Sequence, residues 1–378
     1  MAPGTRHVET LVIGAGQAGL SAGYHLARRG LPFAIVDADA RVGDHWRERW
    51  ESLRLYSPAG SDSLPGMRFP TGRFRHPTGR EMGDYLETYA ARFALPVVSG
   101  TRVNGLEPVA GGFVATLEGG GRVAAAQVIV ATGAFQTPWT PPFAADLDPS
   151  IRQLHSHAYR SPDQVADGPV LVVGLSHSGA DIAHEVARSH RTILSGTAAS
   201  QLPFSVDSLR GRIAWPLMAF AFAHVLTIRT PMGRRMRPLV RNGGGPLLRV
   251  RTPDLDAAGV ERHDAKTVGV RHGKPLLADG ALADVATVIW CTGYKRDYGW
   301  IGAPVMAPDG YPDEVRGVSQ TVPGLYFLGV PFSYAFTSML VAGADRDAKY
   351  VVDRIAERVQ DGTEARNPAP ASVARQNR

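Results

Sequence analysis

Two glycine turns, each between an apolar strand and a helix, constrain this chain more than any other feature. His7-Val8-Glu9-Thr10-Leu11-Val12-Ile13 is apolar and β-branched enough for a buried strand. Gly14-Ala15-Gly16-Gln17-Ala18-Gly19 follows, and Leu20 to Gly30 reads as a helix with basic residues in its last turn and a glycine stop. A second strand, Phe33-Ala34-Ile35-Val36, ends on Asp37. In such a turn the first glycine permits the bend and the second lets backbone approach a pyrophosphate. The third lets helix and strand pack closely. The pyrophosphate sits at the helix N-terminus, where free N–H groups and the dipole favour negative charge. Asp37, 23 positions beyond Gly14, is suited to accept hydrogen bonds from an adenosine ribose.

The same grammar recurs 160 residues later. Val170-Leu171-Val172-Val173 is a strand, Gly174-Leu175-Ser176-His177-Ser178-Gly179 the turn, and Ala180 to Ser189 the helix. Thr192-Ile193-Leu194 is the next strand. Ser176 replaces the middle glycine, so its Cβ must fit beside any phosphate, while its hydroxyl can donate a hydrogen bond. A helix entry without ligand is the alternative reading of this turn. Two β-α-β openings so far apart are two nucleotide-binding units, not a short-period repeat. At 378 residues the chain has room for two to three domains.

Further strands run into small-residue turns at Val128 to Gly133 and Val288 to Tyr294. Gly324 to Gly329 is a late strand, followed by a helix expected from about Ser338 to Val359. The end of the chain, residues 363–378, reads as a flexible tail.

Charge narrows the partners. The net of +6 comes from 41 basic and 35 acidic residues. Nine arginines fall between Ser208 and Pro253, a window with no Asp or Glu, and removing them leaves 32 basic against 35 acidic residues. Diffuse affinity for nucleic acid is therefore not expected. The arginine block faces either the phosphates of a nucleotide or an anionic surface. Inside it, the apolar run from Ile213 to Ile228 contains Pro216 and His224 and is short for a membrane span. It reads as an insertion packed over the second nucleotide unit or shaping a substrate entrance. The alternative is an interfacial helix giving peripheral contact with an anionic membrane through Ile213–Arg251. The single cysteine, Cys291, excludes a redox dithiol and any multi-cysteine metal site, and reads as an inert core thiol. The histidines show no metal-ligand spacing, so no metal is expected. No basic-then-apolar leader opens the chain, and a cytoplasmic location is expected.

Together these segments resemble the flavin-containing monooxygenase family, especially its short bacterial members, over the chain to about residue 360. The resemblance implies an α/β fold with two Rossmann-like dinucleotide-binding domains, the NAD(P)H domain inserted into a discontinuous FAD domain. It assigns residues 1–150 and 289–362 to FAD and 151–288 to NAD(P)H. Gly14, Gly16, Gln17, Ala18, Gly19 and Asp37 then belong to the FAD site. Gly43-Asp44-His45-Trp46, continuing to Arg54-Leu55-Tyr56-Ser57-Pro58, is similar to the family's segment beside the flavin. His45 and Trp46 join the FAD site on that ground, as do Ala131, Thr132, Gly133 and Gly329. Gly174, Ser176, His177, Ser178, Gly179, Ser195, Thr292 and Gly293 are implied for NAD(P)H.

The family's identifying motif, Phe-x-Gly-x-x-x-His-x-x-x-Tyr or Phe, is half present. His155 and Tyr159 match, whereas its Phe and Gly positions hold Pro149 and Ile151. These two matches are the candidate catalytic residues, although His155, His157 and His177 suit supporting positions better. Tyr159 points to the branch that oxygenates heteroatoms. Ser195-Gly196-Thr197 lacks both an arginine and an acidic residue, and NADPH is favoured over NADH. The implied reaction is an external monooxygenation of a small-molecule substrate with O2. A flavin C4a-hydroperoxide would pass one oxygen to nitrogen or sulfur, or insert it beside a carbonyl. A reductase or quinone-type dehydrogenase of the same architecture is the alternative, and a non-catalytic flavin or nucleotide sensor the second. Oligomeric state is left open.

Overall fold

The computed structural model of the chain describes residues 5–366. The chain opens with β1 (Arg6–Ile13), α1 (Gln17–Arg28) and β2 (Phe33–Val36). β1 and β2 run parallel, with Thr10 opposite Phe33 and Ile13 opposite Val36, because α1 carries the chain back over one face before β2 begins. A short α2 (Asp44–Arg47) and the longer α3 (Gly79–Arg92) follow. Thr78 and Glu81 start α3 with a reciprocal capping box. β3 (Val97–Val98) then joins the β2 edge, and β4 (Val103–Val109) and β5 (Gly112–Leu117) form a hairpin beside β6 (Arg122–Val130). β6 lies parallel to β1 on its other side. Leu11, Val12, Val128 and Ile129 have no exposed surface, as expected for central strands covered on both faces.

The chain leaves this sheet through β7 (Thr137–Pro138) and builds a second one. It comprises β8 (Arg152–His155), β9 (Val170–Val173), α4 (His177–Val186), β10 (Thr192–Ser195), and, after a long excursion, α7 (Thr252–Ala257), β11 (Glu261–His263) and β14 (Thr287–Trp290). The excursion carries α5 (Leu209–Phe220) and α6 (Pro231–Asn242), and the hairpin β12 (Thr267–Arg271) with β13 (Lys274–Leu277) precedes β14. Strand order is β11-β10-β9-β14-β8, with every neighbouring pair parallel. β14 pairs β9 and β8 along its full length to Trp290, so the second sheet extends two residues past the boundary expected at residue 288.

β15 (Tyr294–Lys295) then returns antiparallel to β7, so the two connections between the sheets cross as a paired ribbon. β16 (Glu314–Val315), β17 (Val318–Ser319) and β18 (Leu325–Phe327) rejoin the first sheet, with β18 parallel to β6. The last helix, α8 (Val341–Arg366), packs on α1 through His25–Asp345 at 2.7 Å and an Arg29–Asp353 ion pair. It begins three residues later than expected, because Phe336–Met339 forms a separate single 3-10 turn. It also continues through residues 363–366, expected to be flexible tail; the rest of that tail lies outside the described residues. The chain is thus α/β, with one Rossmann-like domain inserted into another.

The excursion does not simply lie over the second domain. After α5, a π-helical turn at Ala221–Val225 swings the chain toward the C-terminal part of the first domain. Ile228 N–H donates to the Tyr334 carbonyl, and Phe336 N–H to the Leu226 carbonyl, both at 2.9 Å. The Phe222 and Phe336 rings meet at 4.7 Å. Trp215 Nε1 donates to Ser61 Oγ at 2.8 Å. The insertion is therefore a bridge, because its backbone and aromatic partners lie in residues 61 and 334–336 of the first domain.

Candidate functional site: two dinucleotide turns

The two turns are near copies. Gly14 has φ +109° and Gly174 φ +105°. A Cβ on either would stand 2.5 Å from a carbonyl oxygen, that of Ala131 or of Cys291. A Cβ on Gly19 or Gly179 would lie 1.8 Å from the carbonyl oxygen of the first glycine of its own turn. These four glycines are required by the protein's own backbone. The middle positions differ. Gly16 has φ −74°, which any residue adopts, and the nearest atom to a Cβ there is in the His45 ring at 3.7 Å. No protein atom explains a glycine at this position, whereas the close approach of a pyrophosphate does. Helix α1 has no acidic residue in its first turn and no side-chain cap, which leaves its N-terminus to an anion. The first turn therefore fits a dinucleotide.

The neighbours expected there are present. Asp37 ends β2 against the turn: its carboxylate accepts the Ala15 N–H, and the Asp39 N–H at 2.8 Å. Burial raises its pKa, and its remaining lone pairs are those a ribose would use. His45 is held by its N–H donating to Asp39 Oδ2 at 3.1 Å. The buried Trp46 Nε1 has no partner. Thr132 Oγ1 accepts from Gln136 Nε2 at 3.0 Å. Gly329 faces Ala18 and Gly133; a Cβ on it would lie 3.6 Å from Ala18 Cβ and 3.9 Å from Gly133 Cα.

The second turn is roofed. Ser176 Oγ donates to the Gly245 carbonyl at 3.2 Å, and a Cβ on Gly245 would fall 2.4 Å from the His177 ring. The Gly243-Gly244-Gly245-Pro246 segment at the end of the insertion thus lies directly on the middle of the turn. Burial drives the His177 pKa down to about 4, so its ring is neutral at neutral pH, and it packs against Tyr56 with centroids 4.4 Å apart. Ser178 hydrogen-bonds the Cys291 thiol, whose pKa burial pushes up to about 12, an inert core cysteine as expected. α4 also lacks a side-chain cap and a first-turn acid, so its N-terminus suits a second pyrophosphate.

Five expected site residues make contacts within the protein's own framework. Tyr159 is fully buried and its hydroxyl donates to Glu185 Oε2 at 3.0 Å, which ties the 155–159 turn to α4. His155 donates from Nε2 to the Gly293 carbonyl at 3.0 Å and accepts the His157 N–H on Nδ1 at 3.0 Å. Both nitrogens are engaged and burial lowers its pKa, so its ring is held in place against the ribbon. Ser195 is buried, its hydroxyl spent on the Ala265 carbonyl at 3.0 Å and Thr267 Oγ1 at 2.8 Å, so only its backbone faces Gly174. Thr292 donates to the Trp139 carbonyl and, with Gly293 at φ +82°, shapes the same ribbon.

Two further groups were not evident from the sequence. Tyr56 donates to Asp181 Oδ2 at 3.0 Å, and Arg249 donates to the same oxygen at 2.7 Å, so one buried carboxylate joins the first domain, α4 and the insertion. Asp62 is fully buried, bonded to Ser57 Oγ through Oδ1, with Oδ2 unpartnered; burial pushes its pKa up to about 7. Both are single carboxylates among many in the sequence, with no spacing to mark them. Among the described residues, no cluster of His, Cys, Asp and Glu is suited to a metal.

Two glycine turns, one on a mixed sheet and one on a parallel sheet, joined by a paired ribbon, define the architecture of a two-dinucleotide oxidoreductase. The comparisons agree. Residues 11–210 match the family described as pyridine nucleotide-disulphide oxidoreductase. The oxidoreductase CzcO-like of Geobacillus kaustophilus is 37% identical over 92% of this chain and 98% of its own. Indole-3-pyruvate monooxygenase YUCCA1 of Oryza sativa is 26% identical, over 91% of this chain and 90% of its own. A flavin-containing monooxygenase from Stenotrophomonas maltophilia superposes with a TM-score of 0.73 at 28% identity, covering 94% of this chain and all of that one. The chain belongs to the pyridine nucleotide-disulphide oxidoreductase family and has a flavin monooxygenase-type oxidoreductase fold.

Proposed function

We propose that the protein is an external monooxygenase: it uses NAD(P)H and O2 to oxygenate a small organic molecule at nitrogen or sulfur, or beside a carbonyl. The observation that carries the two-cofactor reading is Gly16, a glycine no protein contact requires, in a turn whose geometry is repeated at Gly174–Gly179. Residues 1–150 and 289–362 would form the FAD unit and 151–288 the NAD(P)H unit, with the second sheet reaching Trp290. FAD, when bound, supplies hydride acceptance and oxygen activation.

The chain's own residues bind and orient. Gly16 and the α1 N-terminus would take the FAD pyrophosphate, Asp37 its ribose, and His45, Trp46, Thr132, Gly133 and Gly329 would border the ring end. Ser176, Ser178 and the α4 N-terminus would take the NAD(P)H pyrophosphate, with the Gly243–Pro246 roof displaced or reshaped. NADPH is favoured over NADH, since no acidic side chain follows β10 to repel a 2′-phosphate. A cytoplasmic location, where NAD(P)H is supplied, completes the reading.

The test is stoichiometry. FAD-loaded protein is given NADPH or NADH, and cofactor oxidation, O2 uptake and peroxide release are followed with amine, sulfide and ketone panels. A substrate that lowers peroxide release while product accumulates one-for-one with NADPH supports oxygenation. Peroxide equal to NADPH with every substrate tried would make it an oxidase or reductase. No flavin bleaching by either nicotinamide would make it a sensor.

A further inference from the structure

The outer face of the insertion has nothing covering it. Leu209, Ile213 and Leu217 are 72%, 73% and 74% exposed, the three most exposed large apolar side chains among the described residues. With Phe220 they fall in an arc of about 80° on α5, from the 3.6-residue turn. Arg210 and Arg212 flank that arc on its two sides. The opposite side of α5 is taken: Trp215 reaches in to Ser61. A helix apolar on both sides is ordinarily buried on both. On α6, Met232, Arg235 and Leu239 share a face at i, i+3 and i+7, and all three are exposed.

Eight of the nine arginines of the block divide into two sets, and the half-buried Arg237 belongs to neither. Arg241, Arg249 and Arg251 are bound to carboxylates inside the protein. Arg210, Arg212, Arg229, Arg234 and Arg235 are exposed, and none makes an ion pair among the described residues. A second observation adjoins the start of α5. A cavity of about 530 Å³ is lined by Arg54, Arg73, Arg75, His76, Asp207 and Arg212. Arg75 is paired with Glu81, and His76 lies 3.4 Å from Asp207, but Arg54, Arg73 and Arg212 have no carboxylate partner among the described residues. Phe74, also lining the cavity, is 46% exposed.

We infer that this face is a membrane-surface anchor: α5 and α6 lie in the headgroup layer of an anionic phospholipid bilayer. The α5 stripe enters the acyl boundary, the exposed arginines meet lipid phosphates, and the cavity takes one headgroup. An apolar stripe bordered by arginines is the pattern of an interfacial helix, and no helix of the described residues is long and apolar enough to cross a membrane. A second copy of the chain is the poorer occupant. A two-fold contact sets a patch against itself, and the 208–253 window has no Asp or Glu to receive its own arginines. The inference is independent of whether the enzyme oxygenates or only reduces.

The test is cosedimentation of the FAD-loaded full chain with vesicles of phosphatidylcholine, alone or with phosphatidylglycerol added. Binding to the phosphatidylglycerol vesicles alone, weakened by salt, is expected. The pair Arg234→Glu and Arg235→Glu should lower it by at least roughly 25-fold, about fivefold per arginine lost. The pair Ile213→Asp and Leu217→Asp should lower it at least tenfold. These side chains are solvent-facing, so unchanged melting temperature and FAD content report intact folding. Absence of binding to either vesicle overturns the inference, as does equal binding to both. Variants that split a dimer in analytical ultracentrifugation, while vesicle binding is unaffected, assign the face to a second copy instead.

Discussion

Gly14, Gly16 and Gly19 answer to different neighbours, and substitution separates them. Gly14→Ala and Gly19→Ala would drive a Cβ into backbone oxygen at 2.5 Å and 1.8 Å, so both should reduce soluble yield and lower the melting temperature of cofactor-free protein. Gly16→Ala has room, with nothing nearer than 3.7 Å. It should melt as wild type without cofactor, yet bind FAD at least tenfold more weakly in a fluorescence titration. Unchanged FAD affinity would remove the argument that a pyrophosphate sets this position. Two buried titrating groups oppose each other in pH. His177 is held neutral, its pKa near 4 against an ordinary 6.5, so the unfolded chain binds more protons between those values and this contribution is lost as pH falls. Asp62 keeps its proton up to about 7 against an ordinary 3.8, so its contribution is lost as pH rises through the same range. Asp62→Asn should therefore tilt the urea-derived stability of the variant relative to wild type upward between pH 4 and 7, and His177→Gln should tilt it downward. Parallel curves for wild type and both variants would show that neither group titrates as its burial implies.

At the scale of elements, α6 is fixed by one buried arginine. Arg241 donates to Glu314 Oε1 at 3.1 Å, to Asp309 Oδ2 at 2.7 Å and to the Pro331 carbonyl at 3.0 Å, and lies over the Tyr311 ring. Glu314 also receives the Gly317 N–H and the Ser333 hydroxyl, both at 2.7 Å. Arg241→Ala would leave the Glu314 charge buried without its cation, at a cost of about 3–5 kcal/mol. Urea titration of Arg241→Ala, Glu314→Gln and the double variant should give a coupling in which the double loses less than the two singles together. Additive losses would mean the pair is not coupled. None of this was legible in the sequence. The strands, helices and glycine turns were, because they are written in local periodicity and in residues tied to special backbone angles. The carboxylate partners of Arg241 and Arg249 lie 68 to 73 residues away in sequence, and nothing local distinguishes these two arginines from the exposed five. The spacing of His155 and Tyr159 was legible too, but their partners, the Gly293 carbonyl on the ribbon and Glu185 on α4, were not.

Across the whole molecule the two dinucleotide turns must keep a fixed relation if hydride is to pass between their cofactors. The crossed ribbon, with Tyr294 paired to Pro138 and Lys295 to Thr137, supplies that relation through backbone. The tie made by Tyr56, Asp181 and Arg249 supplies it through side chains and was not anticipated. Tyr56 stands in the segment expected beside the flavin, and its hydroxyl and ring both reach the second turn, through Asp181 and His177. Tyr56→Phe retains the ring contact and leaves Asp181 bonded to Arg249, so the only loss is one hydrogen bond to a charged acceptor. That bond is worth about 1.5–3 kcal/mol where it is buried. Its loss should relax the second turn against the first without touching the FAD pyrophosphate site. The expected result is an unchanged FAD dissociation constant and an unchanged rate of reduction by dithionite, with the KM for NADPH raised several-fold. Asp181→Asn should do more, because it also strips Arg249 of its counter-charge in a buried place. If Tyr56→Phe weakens FAD instead, or leaves the KM for NADPH where it was, the tie belongs to the flavin pocket or to stability alone, and the ribbon by itself sets how the two cofactors meet.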